Sequence, residues 1–171
     1  MNKGYVQVYT GNGKGKTTAA FGLALRAVCA GKKVFIGQFV KGMQYSELKV
    51  VEYLPDLEIE QFGRGCFIYD QPAAEDIKLA RKGLERCQTI LKEGRYDVVI
   101  LDEINIALYF KLFSVEAVLD LLTNRASHTE VVLTGRYAPE EIINAADLVT
   151  EMKEIKHYYN EGVEARKGIE S

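Results

Sequence analysis

At 171 residues, 47% hydrophobic and 27% charged with only three prolines, the chain has the composition of an ordinary globular protein. That length fits one domain, 1–171, which can bury roughly 70% of the surface its unfolded chain exposes. A formal net charge of −2 gives no general attraction to nucleic acid or to anionic membranes, so any polyanion must be held locally. No apolar run approaches the ~20 residues of a membrane span. Cys29, Cys66 and Cys87 are widely spaced with no C-x-x-C pair, and the opening "MNKGYVQVYT" lacks the apolar core of a signal peptide. Both features point to a reducing cytoplasm, with each thiol read as a small buried or half-buried hydrophobe.

In chain order, runs rich in β-branched and aromatic residues predict strands at "YVQVY" (5–9), "KVFIGQF" (33–39), "LEIEQF" (57–62), "DVVIL" (97–101), "EVVLT" (130–134) and "DLVTEM" (147–152). Between the first two, Ala20, Leu23, Ala24, Ala27 and Val28 recur at helical spacing over 17–30, and Gly31 suits the stop. A second clear helix runs from Pro72, where a missing N–H costs nothing, to about Lys92 on an apolar stripe of Ile77, Ala80, Leu84, Cys87 and Leu91. Ser114 can cap a helix reaching about Thr123, with Glu116 in its first turn. Alternating strands and helices imply an α/β fold with a mostly parallel sheet covered on both faces, and "DVVIL", without polar alternation, suits a central strand. The irregular stretches "VKGMQYS" (40–46) and "GRGCFIYDQ" (63–71) follow strands, where such folds place ligands.

The chemistry concentrates in two motifs. In "YTGNGKGKTT" (9–18) a phosphate-binding loop ends in Gly15, Lys16 and Thr17, yet the glycine of the usual G-x-x-x-x-G-K-[ST] pattern falls on Thr10. The turn must therefore begin at Gly11 and be tighter. Backbone N–H groups of Gly11, Asn12, Gly13, Lys14 and Gly15 can converge on phosphate oxygens ahead of the helix. Lys16 adds a point charge, Thr18 another phosphate contact, and the Thr17 hydroxyl is placed for Mg²⁺; Lys14 faces either phosphate or solvent. In "VVILDEIN" a buried strand ends in Asp102 and Glu103, the setting of a Walker B motif, so at least one acid should hold Mg²⁺ directly or through water. Arg136 in "LTGRYAPEE" lies at the same sheet edge and can take phosphate bidentately or face a partner. Arg64 is a weaker candidate of the same type. His157 has no Cys or His at metal spacing, and Tyr158 and Tyr159 read equally as a stacking face or as a packed C-terminal flap.

Taken together, "GNGKGKTTAAFGLALRA", "GQFVKG", "LDEINIAL", "EVVLTGR", "ADLVTEM" and "IKH…GVEARKGIE" resemble the ATP:corrinoid adenosyltransferases of the P-loop type, from Gly4 to Glu170. The resemblance implies a RecA-like P-loop NTPase fold, usually a homodimer, in which ATP lies reversed in the loop so that its 5′ carbon faces the corrin. A shortened cradle suits that pose. The implied reaction moves the adenosyl group of ATP to a Co(I) corrinoid, cobalamin or cobinamide, and releases triphosphate. Cobalt is the nucleophile, so no side-chain nucleophile or general base is required. By resemblance, residues 11–17 hold triphosphate, Thr17 and Glu103 ligate Mg²⁺, Asp102 supports them, and Lys16 with Arg136 neutralises leaving-group charge. A separate reductase would supply Co(I), since the chain carries no flavin or iron–sulfur motif.

The chain departs from the family in two places. Where members often carry Phe-Thr-Trp in a corrinoid-facing loop, this chain has Cys66, Phe67 and Ile68, followed by Tyr69, and it contains no tryptophan. An N-terminal extension that can cover the site in relatives is not expected here, because the sequence enters its first strand almost at once. Two other readings of the residues are a small-molecule kinase or ATPase, which would form ADP, and a nucleotide-dependent switch with little turnover.

Overall fold

The computed structural model describes residues 2–43, 45–65, 68 and 71–170. Six strands, β1 (Val6–Thr10), β2 (Val34–Phe39), β3 (Leu57–Phe62), β4 (Val98–Asp102), β5 (Glu130–Thr134) and β6 (Leu148–Glu151), form one sheet in the order β3-β2-β4-β5-β1-β6. Every pairing is parallel, so all six carboxyl ends meet at one edge. The helices are α1 (Lys16–Cys29), α2 (Ala74–Glu93), α3 (Ile104–Tyr109), α4 (Val115–Thr123) and α5 (Glu140–Ala145), with 3₁₀ turns at Ser46–Glu52 and Tyr158–Glu161.

Strand alternation sorts the core into two layers. Val34, Ile36, Val98, Ile100 and Val132 face α1, where Ala20, Ala24 and Ala27 are small enough to seat the helix against the sheet. Phe35, Phe39, Val99, Leu101, Val131 and Leu133 face the other way, against the stripe of α2 and the buried side of α4. Continuous burial of β2 and β4 marks them as interior strands, whereas all four residues of the edge strand β6 are exposed. Each fully buried Val, Leu or Ile in these layers contributes about 1.5–3 kcal/mol.

The expected strands are all present with ends within one residue of expectation; β1 and β4 each run one residue further, to Thr10 and Asp102. Gly31 follows α1 with φ 75°, as a left-handed helix stop, and Ser114 Oγ accepts the Ala117 N–H at the start of α4. Pro72 does not begin α2. The helix starts at Ala74, because Asp76 reaches back to accept the Ala73 N–H at 2.8 Å and sets the first turn there. Cys87 is buried as expected and its thiol is pushed well above the usual range by desolvation, but Cys29 is exposed at the end of α1. No helix of the described residues is long and apolar enough to cross a membrane.

Candidate active site

Thr10 is still strand, in register with Glu151, and the phosphate loop turns only at Gly11, whose φ of 95° a side chain would resist. Gly13 then passes so close to the end of β6 that its N–H donates to the Met152 carbonyl at 2.6 Å. A Cβ there would stand 2.7 Å from that oxygen. Gly15, at φ 116°, delivers the chain into α1, and the first intrahelical bond runs from the Ala19 N–H to the Gly15 carbonyl at 2.7 Å. Ahead of it, the N–H groups of 16–18 have no helical carbonyl to reach, which makes this terminus an anion site. Lys16 is buried with its Nζ folded onto the Gly13 carbonyl at 2.7 Å; burial lowers its pKa, and Arg136 nearby lowers it further against the pull of Glu103 and Asp102.

Register carries the second half of the site. Gln38 lies opposite Asp102, and Leu101 opposite Leu133, so Asp102 on β4 sits between the ends of β2 and β5. Asp102 is fully buried. Its Oδ1 accepts from Thr17 Oγ1 at 2.9 Å and Thr134 Oγ1 at 2.7 Å, and its Oδ2 from Gln38 Nε2 at 3.2 Å and Lys41 Nζ at 2.8 Å. The Thr17 hydroxyl hydrogen is thereby spent on Asp102, leaving the oxygen lone pairs for another partner. Burial pulls the Lys41 pKa down, but the Asp102 carboxylate together with Glu103 and Glu47 outweighs that and the net shift is upward.

Glu103 follows in the left-handed conformation at φ 59°, with its N–H donated to Thr134 Oγ1 at 3.0 Å. Such a φ in a non-glycine residue marks a position held by its surroundings. Desolvation and the neighbouring Asp102 raise its pKa, opposed by Lys41, Lys16 and Arg136. Lys16, Thr17, Lys41, Glu103 and Arg136 line one cavity of ≈ 1020 Å³, whereas Asp102 is buried and not part of its lining. Its polar wall is the loop from Gly13 to Thr18 with Glu103 and Arg136; its apolar wall is Phe21, Val40, Ile68, Ile106 and Phe110.

Gly13, Lys14, Gly15, Lys16, Thr17, Thr18, Glu103, Arg136 and Ile68 therefore come together as the sequence suggests. Gly11 and Asn12 are not among the lining residues and act on the site through the turn. Cys66, Phe67 and Tyr69 lie outside the described residues. Arg64 is committed elsewhere, paired bidentately to Asp76 at 2.6 and 2.8 Å. The C-terminal segment does reach the site: His157 and Glu170 line the cavity, and Lys14 donates to the Ile169 carbonyl at 3.0 Å. Arg166 and Tyr158 bind the Glu170 carboxylate and hold its pKa down to about 2. Tyr159 is largely exposed, Tyr158 is half-buried against the Glu170 and Arg166 side chains, and neither lines the cavity. Sequence reading passed over Gln38, Lys41 and Thr134 as site residues. The available signal was Gln38, an amide inside the wholly buried run "VFIGQF".

Over residues 2–171 the chain matches the profile of a family described as ATP:corrinoid adenosyltransferase BtuR/CobO/CobP. The chain belongs to this family. A corrinoid adenosyltransferase of Sinorhizobium sp. is 40% identical over 172 residues, covering 98% of this chain and 80% of the relative. Corrinoid adenosyltransferases of Escherichia coli K12 and Salmonella typhimurium LT2 are 36% and 34% identical, each over 98% of this chain and 86% of theirs. The six-stranded parallel sheet with the phosphate loop between β1 and α1 agrees with the P-loop fold that the sequence resemblance implies.

Proposed function

We propose that the chain transfers the 5′-deoxyadenosyl group of ATP to the Co(I) centre of a corrinoid, cobalamin or cobinamide, and releases triphosphate. The observation that carries this reading is a cavity lined both by a phosphate cradle and by an apolar wall. One wall suits a polyanion and the other a large, largely apolar macrocycle. The Co(I) electron pair forms the bond to C5′, and the pair of the C5′–O bond departs with triphosphate. No side chain has to act as nucleophile or base. The protein's part is to position both substrates and to meet the leaving charge, with the N–H groups of 16–18, Lys16 and Arg136 on the phosphates. Phe21, Val40, Ile106 and Phe110 keep water from the reduced metal, and Ile68, which packs on the core and lines the cavity, meets the corrin.

The donors present suit Mg²⁺. Thr17 offers an oxygen whose hydrogen is already engaged, and Glu103 a carboxylate lining the same cavity, while Asp102 orients Thr17. Among the described residues no three acidic, His or Cys side chains form a cage, in keeping with an ion that takes one or two carboxylates and otherwise water and phosphate. When bound, Mg²⁺ would neutralise phosphate charge as it moves to the leaving group. We further infer a cytoplasmic homodimer of this one-domain chain, served by a separate reductase, which the family resemblance supports. The test is anaerobic incubation with Mg-ATP and chemically reduced cobalamin or cobinamide. A light-sensitive adenosylated corrinoid is expected; unchanged corrinoid with ADP formed would replace this reading by an ATPase or kinase.

A further inference from the structure

The chain leaves β2 through Val40, a β-branched residue at φ 59°, where a side chain of that shape is a genuine outlier and is strained. The neighbouring loop fixes it there. A Cβ on Gly63 would stand 2.6 Å from the Lys41 nitrogen and 2.7 Å from the Val40 carbonyl carbon, and one on Gly42 would stand 2.4 Å from the Arg64 carbonyl carbon. Arg64 is in turn tied to Asp76 on α2. This clamped kink sends Lys41 back over the sheet edge, where its Nζ lies 2.8 Å from Asp102, 3.9 Å from Glu47 and 5.3 Å from the centre of the Tyr45 ring. Its side chain is only 15% exposed, so the strain is spent on placing a cation in a nearly closed site.

We propose that Lys41 is an internal counter-cation: it neutralises Asp102 while the site lacks metal, and it yields to Mg²⁺ and turns to the polyphosphate when Mg-nucleotide enters. This rests on the metal reading given above. Three of the four hydrogen bonds to Asp102 come from neutral groups, and among the described residues Lys41 is the one cation in contact with it. A buried carboxylate without a countercharge is costly, which Lys41 prevents. A dication on Thr17 Oγ1 would share that carboxylate, since Thr17 and Lys41 hold its two oxygens, and an ammonium and a dication on one carboxylate repel. Lys41 lines the cavity with the phosphate loop, so its freed ammonium has Glu47 or bound phosphate within reach of a flexible stem.

The test uses Mn²⁺ as a paramagnetic stand-in, titrated into the protein with and without ATP and read by electron paramagnetic resonance. Without nucleotide, Lys41→Met should bind Mn²⁺ at least about tenfold more tightly than the parent protein. Lys41→Gln, which can still donate to Asp102 but has no charge, should do the same, while Lys41→Arg should stay as weak as the parent. In adenosylation, Lys41→Met should lower kcat by about 10²–10³-fold with a smaller change in the KM for ATP. Unchanged nucleotide-free Mn²⁺ affinity in both neutral variants, with ATP-dependent Mn²⁺ binding intact, overturns the counter-cation role alone. Absence of Mn²⁺ binding to the parent protein even with ATP overturns the metal reading and this proposal with it.

Discussion

Replacing Asp102 by Asn keeps the shape of the side chain and removes its charge. The carboxylate now accepts four hydrogen bonds in full burial. If the new amide nitrogen faces Lys41 and Gln38, donor meets donor. Turned toward Thr17 and Thr134, it meets hydroxyls that can rotate, although Thr134 Oγ1 already accepts the Glu103 N–H. Either way Lys41 loses its anion. At the observed 2.8 Å the Coulomb attraction is about 6 kcal/mol in an effective dielectric near 20, before the desolvation that offsets much of it. Breaking one half of a buried pair costs about 3–5 kcal/mol. Glu47, at 3.9 Å, gives Lys41 somewhere to go and places the expected loss near the lower end, about 3 kcal/mol. For a chain of this size that lowers Tm by about 6–12 °C. Urea unfolding at neutral pH without metal or nucleotide measures it. Adding Lys41→Met to Asp102→Asn should cost clearly less than the sum of the two single changes, because the second removes the orphaned charge. A loss under about 1 kcal/mol, or simple additivity, would refute the view of Asp102 and Lys41 as a coupled pair.

Other expectations follow from single contacts. Gly13→Ala should destabilise the fold by about 1–3 kcal/mol and weaken ATP binding in calorimetry, because its Cβ would press on backbone at Met152 and Lys153 that cannot swing away. Asp76→Asn should cost about 2 kcal/mol near pH 7 in urea unfolding, through the charged bonds to Arg64 and the Ala73 N–H. Arg64 and Ala73 depress the Asp76 pKa, so its contribution is present above the unfolded value near 3.9 and fades as pH falls through the lower folded value; the gap between variant and parent should close in acid. Glu103 has the opposite sign. Its folded pKa is raised by burial and by Asp102, so the nucleotide-free protein loses stability as pH rises from the unfolded value toward the folded one, and Glu103→Gln should gain Tm over the parent across that window.

The parts of the site that were legible in the sequence are those built from neighbours along the chain. Gly11, Gly13, Gly15, Lys16 and Thr17 announce a strand, a tight turn and a helix start, and "VVILDE" announces a buried strand ending in acids. Gln38, Lys41 and Thr134 were not legible as site residues because their roles depend on register between strands 64 and 32 residues apart from Asp102 in the chain or on a kink after β2. Val40 gives no hint in composition that it will take φ 59°; Gly63, which packs against its carbonyl, is 23 residues downstream. The packing of Gly13 on Met152 is of the same kind. It explains why the cradle is narrow, yet it joins the first and last strands of the sheet. Pro72 misled the reading of α2 because the Asp76 carboxylate, two residues inside the helix, selects Ala73 as the boundary.

The most direct test of the central claim is ³¹P NMR of the phosphate product formed with Mg-ATP and Co(I) corrinoid under anaerobic conditions. Displacement at C5′ by cobalt predicts intact triphosphate in equal amount to the adenosylated corrinoid. ADP and orthophosphate in place of triphosphate would mean that the γ-phosphoryl group, not the adenosyl group, is what this site transfers.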